Sequence, residues 1–139
     1  KYLLIVFISI NFPVKADLNK NLINELKKGG KIIFIRHALA PGSGDPKNFN
    51  INDCSTQRNL NYLGINQAKR IGAFFRYNKI PIHSVHSSEW CRCKETALIA
   101  FDNFKTNDFL NSFFSPKFTK NKYLQMINLK KFIKNWDGN

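Results

Sequence analysis

An arginine and a histidine stand side by side at the end of an apolar run, with Arg36-His37 following Lys31-Ile32-Ile33-Phe34-Ile35. An always-charged guanidinium fork beside a titratable imidazole suits a phosphate ester better than most other ligands. The unbroken apolar run predicts a strand buried on both faces, as in a sheet covered by helices. The pair would then lie at the sheet edge where open α/β folds bind ligands. Chance alone could also place these two residues together, so other motifs in the chain are needed to distinguish a ligand-binding pair from a chance pair.

The elements predicted around this pair alternate between helices and strands. The pattern predicts a helix that Asp17 or Asn19 caps and that runs to about residue 28, a strand over 31–35, a helix over 63–77, a strand over 82–86, a helix over 89–101, a short strand over 109–114 and a last helix over 123–136. The breakers Pro41-Gly42-Ser43-Gly44-Asp45-Pro46 predict a loop after the first strand. This order implies an α/β fold with parallel strands.

Two later blocks join the opening one. The first is Leu-x-x-x-Gly-x-x-Gln-Ala at the start of a helix, from Leu60 to Ala68. The second is Ser-Ser-x-x-x-Arg-x-x-x-Thr-Ala, from Ser87 to Ala97. With the Arg-His strand end, these blocks cover residues 31–100, and in them the chain resembles the histidine phosphatase superfamily, which includes phosphoglycerate mutases and many phosphatases.

The resemblance implies a three-layer α/β sandwich with a mostly parallel sheet flanked by helices. It also implies that His37 attacks phosphorus and becomes phosphohistidine, while Arg36 and Arg92 clamp the phosphoryl group. Arg58 could bind the substrate, although a plain loop arginine is nearly as good an interpretation. Arg92 could instead form a surface ion pair with Glu89 or Glu95. The expected partner is a small phosphorylated substrate, such as a sugar phosphate or a cell-envelope phosphate, and no cofactor or metal is needed.

The chain also departs from the family pattern. Ala38, Ala40 and Ser43 stand where many members carry glycine, a phosphate-touching hydroxyl and the asparagine of the mutases, which favours a phosphatase over a mutase. The proton donor stays open between Asp45, Asp53 and an acid outside the chain.

The second catalytic histidine of the family is also missing, because no histidine follows His86. We therefore expect a copy truncated at its C-terminus, with the last strand or strands missing. The alternative function is a non-catalytic remnant of the same fold that binds phosphorylated ligands or other anions.

The cysteines allow two further hypotheses. His83 and His86 with Cys91 and Cys93 superficially suggest zinc ligands, but a strand followed by a helix would spread these side chains over different faces. For a disulfide, Cys54 with Cys91 or with Cys93 is plausible, which would leave one cysteine free.

Composition and the N-terminus set the remaining bounds. The 139 residues allow one domain, and a net charge of +13 attracts anions. The lysines are scattered without an aromatic platform, so nucleic acid is not the expected partner. Residues 1–16 have the pattern of a signal peptide, which predicts a periplasmic or secreted domain over 17–139 without a stable membrane span.

Overall fold

The computed structural model describes residues 20–137. The predicted signal peptide of residues 1–16 and the predicted caps at Asp17 and Asn19 lie outside them. The four helices of the described part are α1 (Lys20–Lys27), α2 (Tyr62–Tyr77), α3 (Cys91–Phe101) and α4 (Lys122–Asn135), and its two strands are β1 (His86–Ser87) and β2 (Lys105–Thr106). Single turns of 3-10 helix cover Cys54–Thr56 and Asp108–Leu110, and a longer one covers Pro116–Asn121. Among these helices, none has the length and apolar character to cross a membrane.

The strands β1 and β2 form a small parallel sheet, and α3 connects them. His86 pairs with Lys105 and Ser87 pairs with Thr106. Parallel strands need such a crossover because the chain has to return to the same end of the sheet. The prediction of an α/β chain with parallel strands is confirmed at this level.

The predicted strand over 31–35 is wrong for the described structure. These residues belong to no strand and are half-buried. The backbone of Ile32 to Ile35 makes no hydrogen bond with any other part of residues 20–137. Apolar side chains alone do not make a strand, since a ladder needs a second segment at hydrogen-bonding distance.

The predicted strand over 109–114 is also wrong. The chain forms its second strand earlier, at Lys105–Thr106, and then enters the 3-10 turn at Asp108–Leu110. Both residues of β2 are exposed, so no apolar pattern marks this strand in the sequence. The strand predicted over 82–86 is reduced to His86–Ser87.

The hydrophobic core lies between α1, α2 and the segment 31–36 before His37. Leu26, Phe75 and Ile80 are its buried centre. Further apolar side chains pack around them: Leu22, Ile33, Ile35, Ile71, Phe74 and Phe101. The rings of Phe75 and Phe101 meet edge to face with centroids 5.2 Å apart, which ties α2 to α3.

The helices α2 and α3 approach each other at a glycine. A Cβ atom on Gly72 would lie 2.2 Å from the carbonyl oxygen of Ala100. The same carbonyl accepts a hydrogen bond from Arg76 at 3.1 Å. Gly72 is therefore the residue that allows backbone contact between the two helices.

We expect Gly72→Ala to lower the free energy of unfolding by roughly 1–3 kcal/mol, because the added methyl group pushes against backbone rather than a flexible side chain. Alanine is the better helix former by about 1 kcal/mol, so a loss of stability would have to come from the clash. Urea unfolding checks this, with Ala73→Ser on the exposed side of the same helix as the control. A Gly72→Ala protein at least as stable as the wild type would contradict the packing.

Candidate functional site

His37 follows the segment 31–36, and its ring forms a hydrogen bond with the neighbouring residue. Its ring Nδ1 lies 2.7 Å from the carbonyl oxygen of Ala38. A carbonyl can only accept, so Nδ1 donates its hydrogen in this bond and Nε2 keeps its lone pair. Burial lowers the pKa of His37, and the guanidinium groups of Arg92 and Arg36 lower it further, against the opposing effect of the Ala38 carbonyl. The imidazole is thus kept neutral with Nε2 as its free nitrogen.

The backbone after His37 is fixed by side chains from two helices. The N–H of Ala38 donates to Thr96 Oγ1 at 3.0 Å, and the N–H of Leu39 donates to Gln67 Oε1 at 2.8 Å. A Cβ on Gly64 would lie 2.1 Å from the carbonyl oxygen of Leu39. The Gly-x-x-Gln and Thr positions of the two sequence blocks therefore serve one purpose, which is to hold the chain beside His37.

Arg92 lies in the first turn of α3 and is 7% exposed. Its Nη1 donates to Asp45 Oδ1 at 2.7 Å and its Nη2 to Asp45 Oδ2 at 3.3 Å. Nη1 also donates to the carbonyl of Arg58 at 3.3 Å. Its ion-pair partner is thus Asp45 rather than Glu89 or Glu95, the two acids considered from the sequence.

Asp45 accepts from four donors. Besides the two nitrogens of Arg92, Oδ1 accepts from the backbone N–H of Arg58 at 3.1 Å and Oδ2 from the indole Nε1 of Trp90 at 2.9 Å. Burial by itself would raise the pKa of Asp45, but these hydrogen bonds from Arg92, Trp90 and Arg58 together hold it below its usual range. Asp45 is therefore ionised at neutral pH and cannot donate a proton in this arrangement. The other acid considered, Asp53, caps the turn at Cys54–Thr56 by accepting from Ser55.

Arg58 braces the loop that carries Asp45. Its Nε donates to the carbonyl of Gly44 at 2.9 Å, and its Nη1 donates to the carbonyl of Ala40. Both Gly42 and Gly44 have positive φ, at 89° and 70°, which a side chain would strain. Two of the three guanidinium nitrogens of Arg58 thus donate hydrogen bonds to backbone carbonyls of the segment 40–44.

These side chains surround one cavity of about 1000 Å³. All four site residues predicted from the sequence line it, and so does Asp45: Arg36, His37, Arg58, Arg92 and Asp45. Arg36 is exposed. The fold therefore brings the guanidinium groups of Arg36, Arg58 and Arg92, the carboxylate of Asp45 and the neutral imidazole of His37 to the same cavity, an arrangement that can bind an anion and present a nitrogen nucleophile to it.

A disulfide joins the 3-10 turn at Cys54–Thr56 to the first residue of α3. Cys54 is bonded to Cys91, and Cys93 is free. Of the two pairings considered from the sequence, this is the one with Cys91. Beside it, Gln57 is buried and accepts from the N–H of Cys91 at 2.9 Å, which supplies a hydrogen-bond acceptor at the start of α3. Burial raises the pKa of the Cys93 thiol, so it stays protonated.

Asp45, Gln57 and Trp90 are the site residues that sequence reasoning did not assign. Asp45 had a weak signal, since it is the acid of the glycine-rich loop directly after the Arg-His pair. Gln57 and Trp90 had none, because their partners lie 34 and 45 residues away in the chain.

The described residues contain no group of three histidine, cysteine or acidic side chains placed to hold a metal ion. In the part of the chain that the structure covers, His86 instead meets Asn107 at 2.7 Å and the ring of Phe132.

Comparison of the chain with family models, with curated proteins and with solved structures finds no match. The superfamily resemblance thus stays a prediction from the residues.

We expect the Cys54–Cys91 bond to contribute roughly 2–4 kcal/mol to the free energy of unfolding, since it closes a long loop in the unfolded chain. Urea unfolding with and without a reductant measures this. The free energy of unfolding of a Cys54→Ala/Cys91→Ala variant should equal that of the reduced wild type and should not change with the reductant. The reductant should destabilise Cys93→Ala as much as it destabilises the wild type. Equal midpoints for oxidised and fully reduced wild type would refute the contribution.

We also expect His37 to make the folded state less stable in acid. Its folded-state pKa is lowered, so the unfolded chain takes up the proton at higher pH than the folded one. Stability is therefore complete above the unfolded-state pKa, about 6.5, and is lost as the pH falls from there toward the folded-state value. Ring-nitrogen NMR titration of folded and urea-unfolded protein, assigned with His37→Asn, checks the direction. A folded-state pKa at or above the unfolded one would show that it is wrong.

Proposed function

We propose that this protein is a phosphomonoester hydrolase of the histidine phosphatase type that acts through a phosphohistidine on His37. The observation that carries the proposal is the state of His37: its Nδ1 donates to the Ala38 carbonyl, and its Nε2 has no hydrogen-bond partner among residues 20–137. Arg36, Arg58 and Arg92 line the same cavity, and their charges act on the imidazole. A nucleophilic imidazole needs this tautomer, because a protonated Nε2 has no lone pair to offer.

The chemistry follows from these groups. The Nε2 lone pair forms a bond to phosphorus while the phosphorus–oxygen bond of the ester breaks, and the alcohol leaves with a proton from a donor yet to be assigned. Water then attacks phosphorus, the phosphorus–nitrogen bond breaks, and inorganic phosphate is released. Arg36 and Arg92 stabilise the charge on the transferred oxygens, and Arg58 offers its remaining terminal nitrogen to the substrate.

The finer fold belongs to the same proposal. We infer a three-layer sandwich whose mostly parallel sheet is wider than β1 and β2 and is flanked by helices. The parallel pairing of β1 with β2 and the helix α3 that connects them support this architecture.

The setting we propose is periplasmic or secreted, and the substrate is a sugar phosphate, a cell-envelope phosphate or another small phosphoester. The Cys54–Cys91 disulfide supports export, since such bonds persist mainly in oxidising compartments.

The test is acid-labile phosphate on the protein during turnover. With a radiolabelled phosphomonoester and a rapid quench, label should stay on the protein in base and leave it in acid, as a phosphorus–nitrogen bond requires. Hydrolysis of p-nitrophenyl phosphate, whose leaving group needs no proton, should fall roughly a thousandfold or more in His37→Ala.

The exposed His83 provides the matched control, and His83→Ala should keep both label and turnover. Turnover by the wild type without trapped label, or label that survives in His37→Ala, would reject the mechanism.

Non-catalytic binding of phosphorylated ligands is the second candidate. The state of Asp45 favours it, because this acid is ionised and fully engaged and so supplies no proton to a leaving group. Phosphate binding by the wild type with neither label nor turnover would select this function.

A further inference from the structure

Arg92 turns its two terminal nitrogens toward the protein itself. Nη1 is used by Asp45 and by the Arg58 carbonyl, and Nη2 by the other oxygen of Asp45. Its third nitrogen, Nε, is buried and has no hydrogen-bond partner within the described residues. A buried donor without an acceptor costs free energy that a bound ligand can return.

Asp45 in turn has little freedom to move. Each of its oxygens accepts two hydrogen bonds, one from Arg92 and one from a second donor, which is the Arg58 backbone for Oδ1 and the Trp90 indole for Oδ2. The Trp90 ring is 3% exposed and packs against Phe49, with ring centroids 5.2 Å apart. The Asp45 carboxylate is thus fixed by the Arg58 backbone amide and by the packed Trp90 indole, independently of its hydrogen bonds with Arg92.

A carboxylate fixed in this way determines which edge of the guanidinium is left without an acceptor from the described residues. The group is planar, so an end-on pair through Nη1 and Nη2 leaves the side edge, with Nε–H and the second hydrogen of Nη2. Arg92 lines the same cavity as His37, and its charge acts on the imidazole.

We propose that Asp45 is a positioning residue of the anion site, which holds Arg92 end-on so that its Nε edge meets a phosphoryl group bound beside His37. The inference rests on the proposed function only in taking a phosphoryl group as the ligand, and it holds whether or not that group is then transferred to His37. Two roles of the Asp45 carboxylate make opposite predictions. If Asp45 competed with the ligand for Arg92, it would weaken phosphate binding, whereas a positioning residue strengthens phosphate binding.

The experiment measures the affinity for inorganic phosphate by calorimetry. Asp45→Asn keeps the size of the side chain but removes the charge that holds the guanidinium, and phosphate should bind about tenfold more weakly, as expected for a charge-assisted contact. Asp53→Asn is the matched control, because Asp53 is exposed and caps a turn through Ser55, and its affinity should equal that of the wild type.

A double-mutant cycle shows whether Asp45 acts through Arg92. Lysine has no Nε edge, so Arg92→Lys should itself weaken binding, and Asp45→Asn should then add no further loss. An equal loss in both backgrounds would mean that Asp45 acts independently of Arg92 and would overturn the proposal.

A milder variant covers the case in which Asp45→Asn does not fold. Trp90→Phe removes only the indole donor to Oδ2 and should weaken phosphate binding by about two- to threefold, in line with the loss of one neutral hydrogen bond. Unchanged or tighter binding in either variant, or no phosphate binding by the wild type, would overturn the proposal. Phosphate binding that depends on Asp45, together with no phosphohistidine in the wild type, would reject the proposed function and leave this inference standing.

Discussion

A guanidinium that is almost completely removed from water has to be met by acceptors, and the architecture of the site follows from this requirement at Arg92. The side chain is 7% exposed at the start of α3. Its acceptors come from two separate stretches, the glycine-rich loop with Asp45 and the segment with the Arg58 carbonyl. The hydrogen bonds of the buried Arg92 charge therefore hold the Asp45 loop and the Arg58 segment against the start of α3.

The second constraint is close approach of backbone to backbone. Gly64 and Gly72 let α2 touch the carbonyls of Leu39 and Ala100. Such contacts bring α2 near enough for Gln67 to accept from the Leu39 amide. The position of the His37 imidazole thus depends on Gly64, Gln67 and Gly72, which do not line the cavity, since they fix the chain that carries His37.

Where the pattern was local, the sequence predicted the structure well. The helix predicted over 63–77 is Tyr62–Tyr77, and the one predicted over 89–101 is Cys91–Phe101. Both have a helical repeat of apolar or small residues, and neighbouring residues along the chain suffice to specify it. The strands were predicted poorly, because a strand at 31–35 or 109–114 depends on a pairing partner that its own residues do not specify.

The sequence by itself determined the helices, the parallel order of the strands and the three arginines and the histidine, Arg36, Arg58, Arg92 and His37, that line one cavity. Only the tertiary structure decided that Asp45 rather than Glu89 or Glu95 pairs with Arg92, and that Cys54 bonds to Cys91 rather than to Cys93. Residue types and short spacings set what a side chain can do, whereas its partner depends on distances between segments 34 to 47 residues apart. Those distances are set only in the folded chain, where the Arg92 charge is paired and α2 makes its backbone contacts at Gly64 and Gly72.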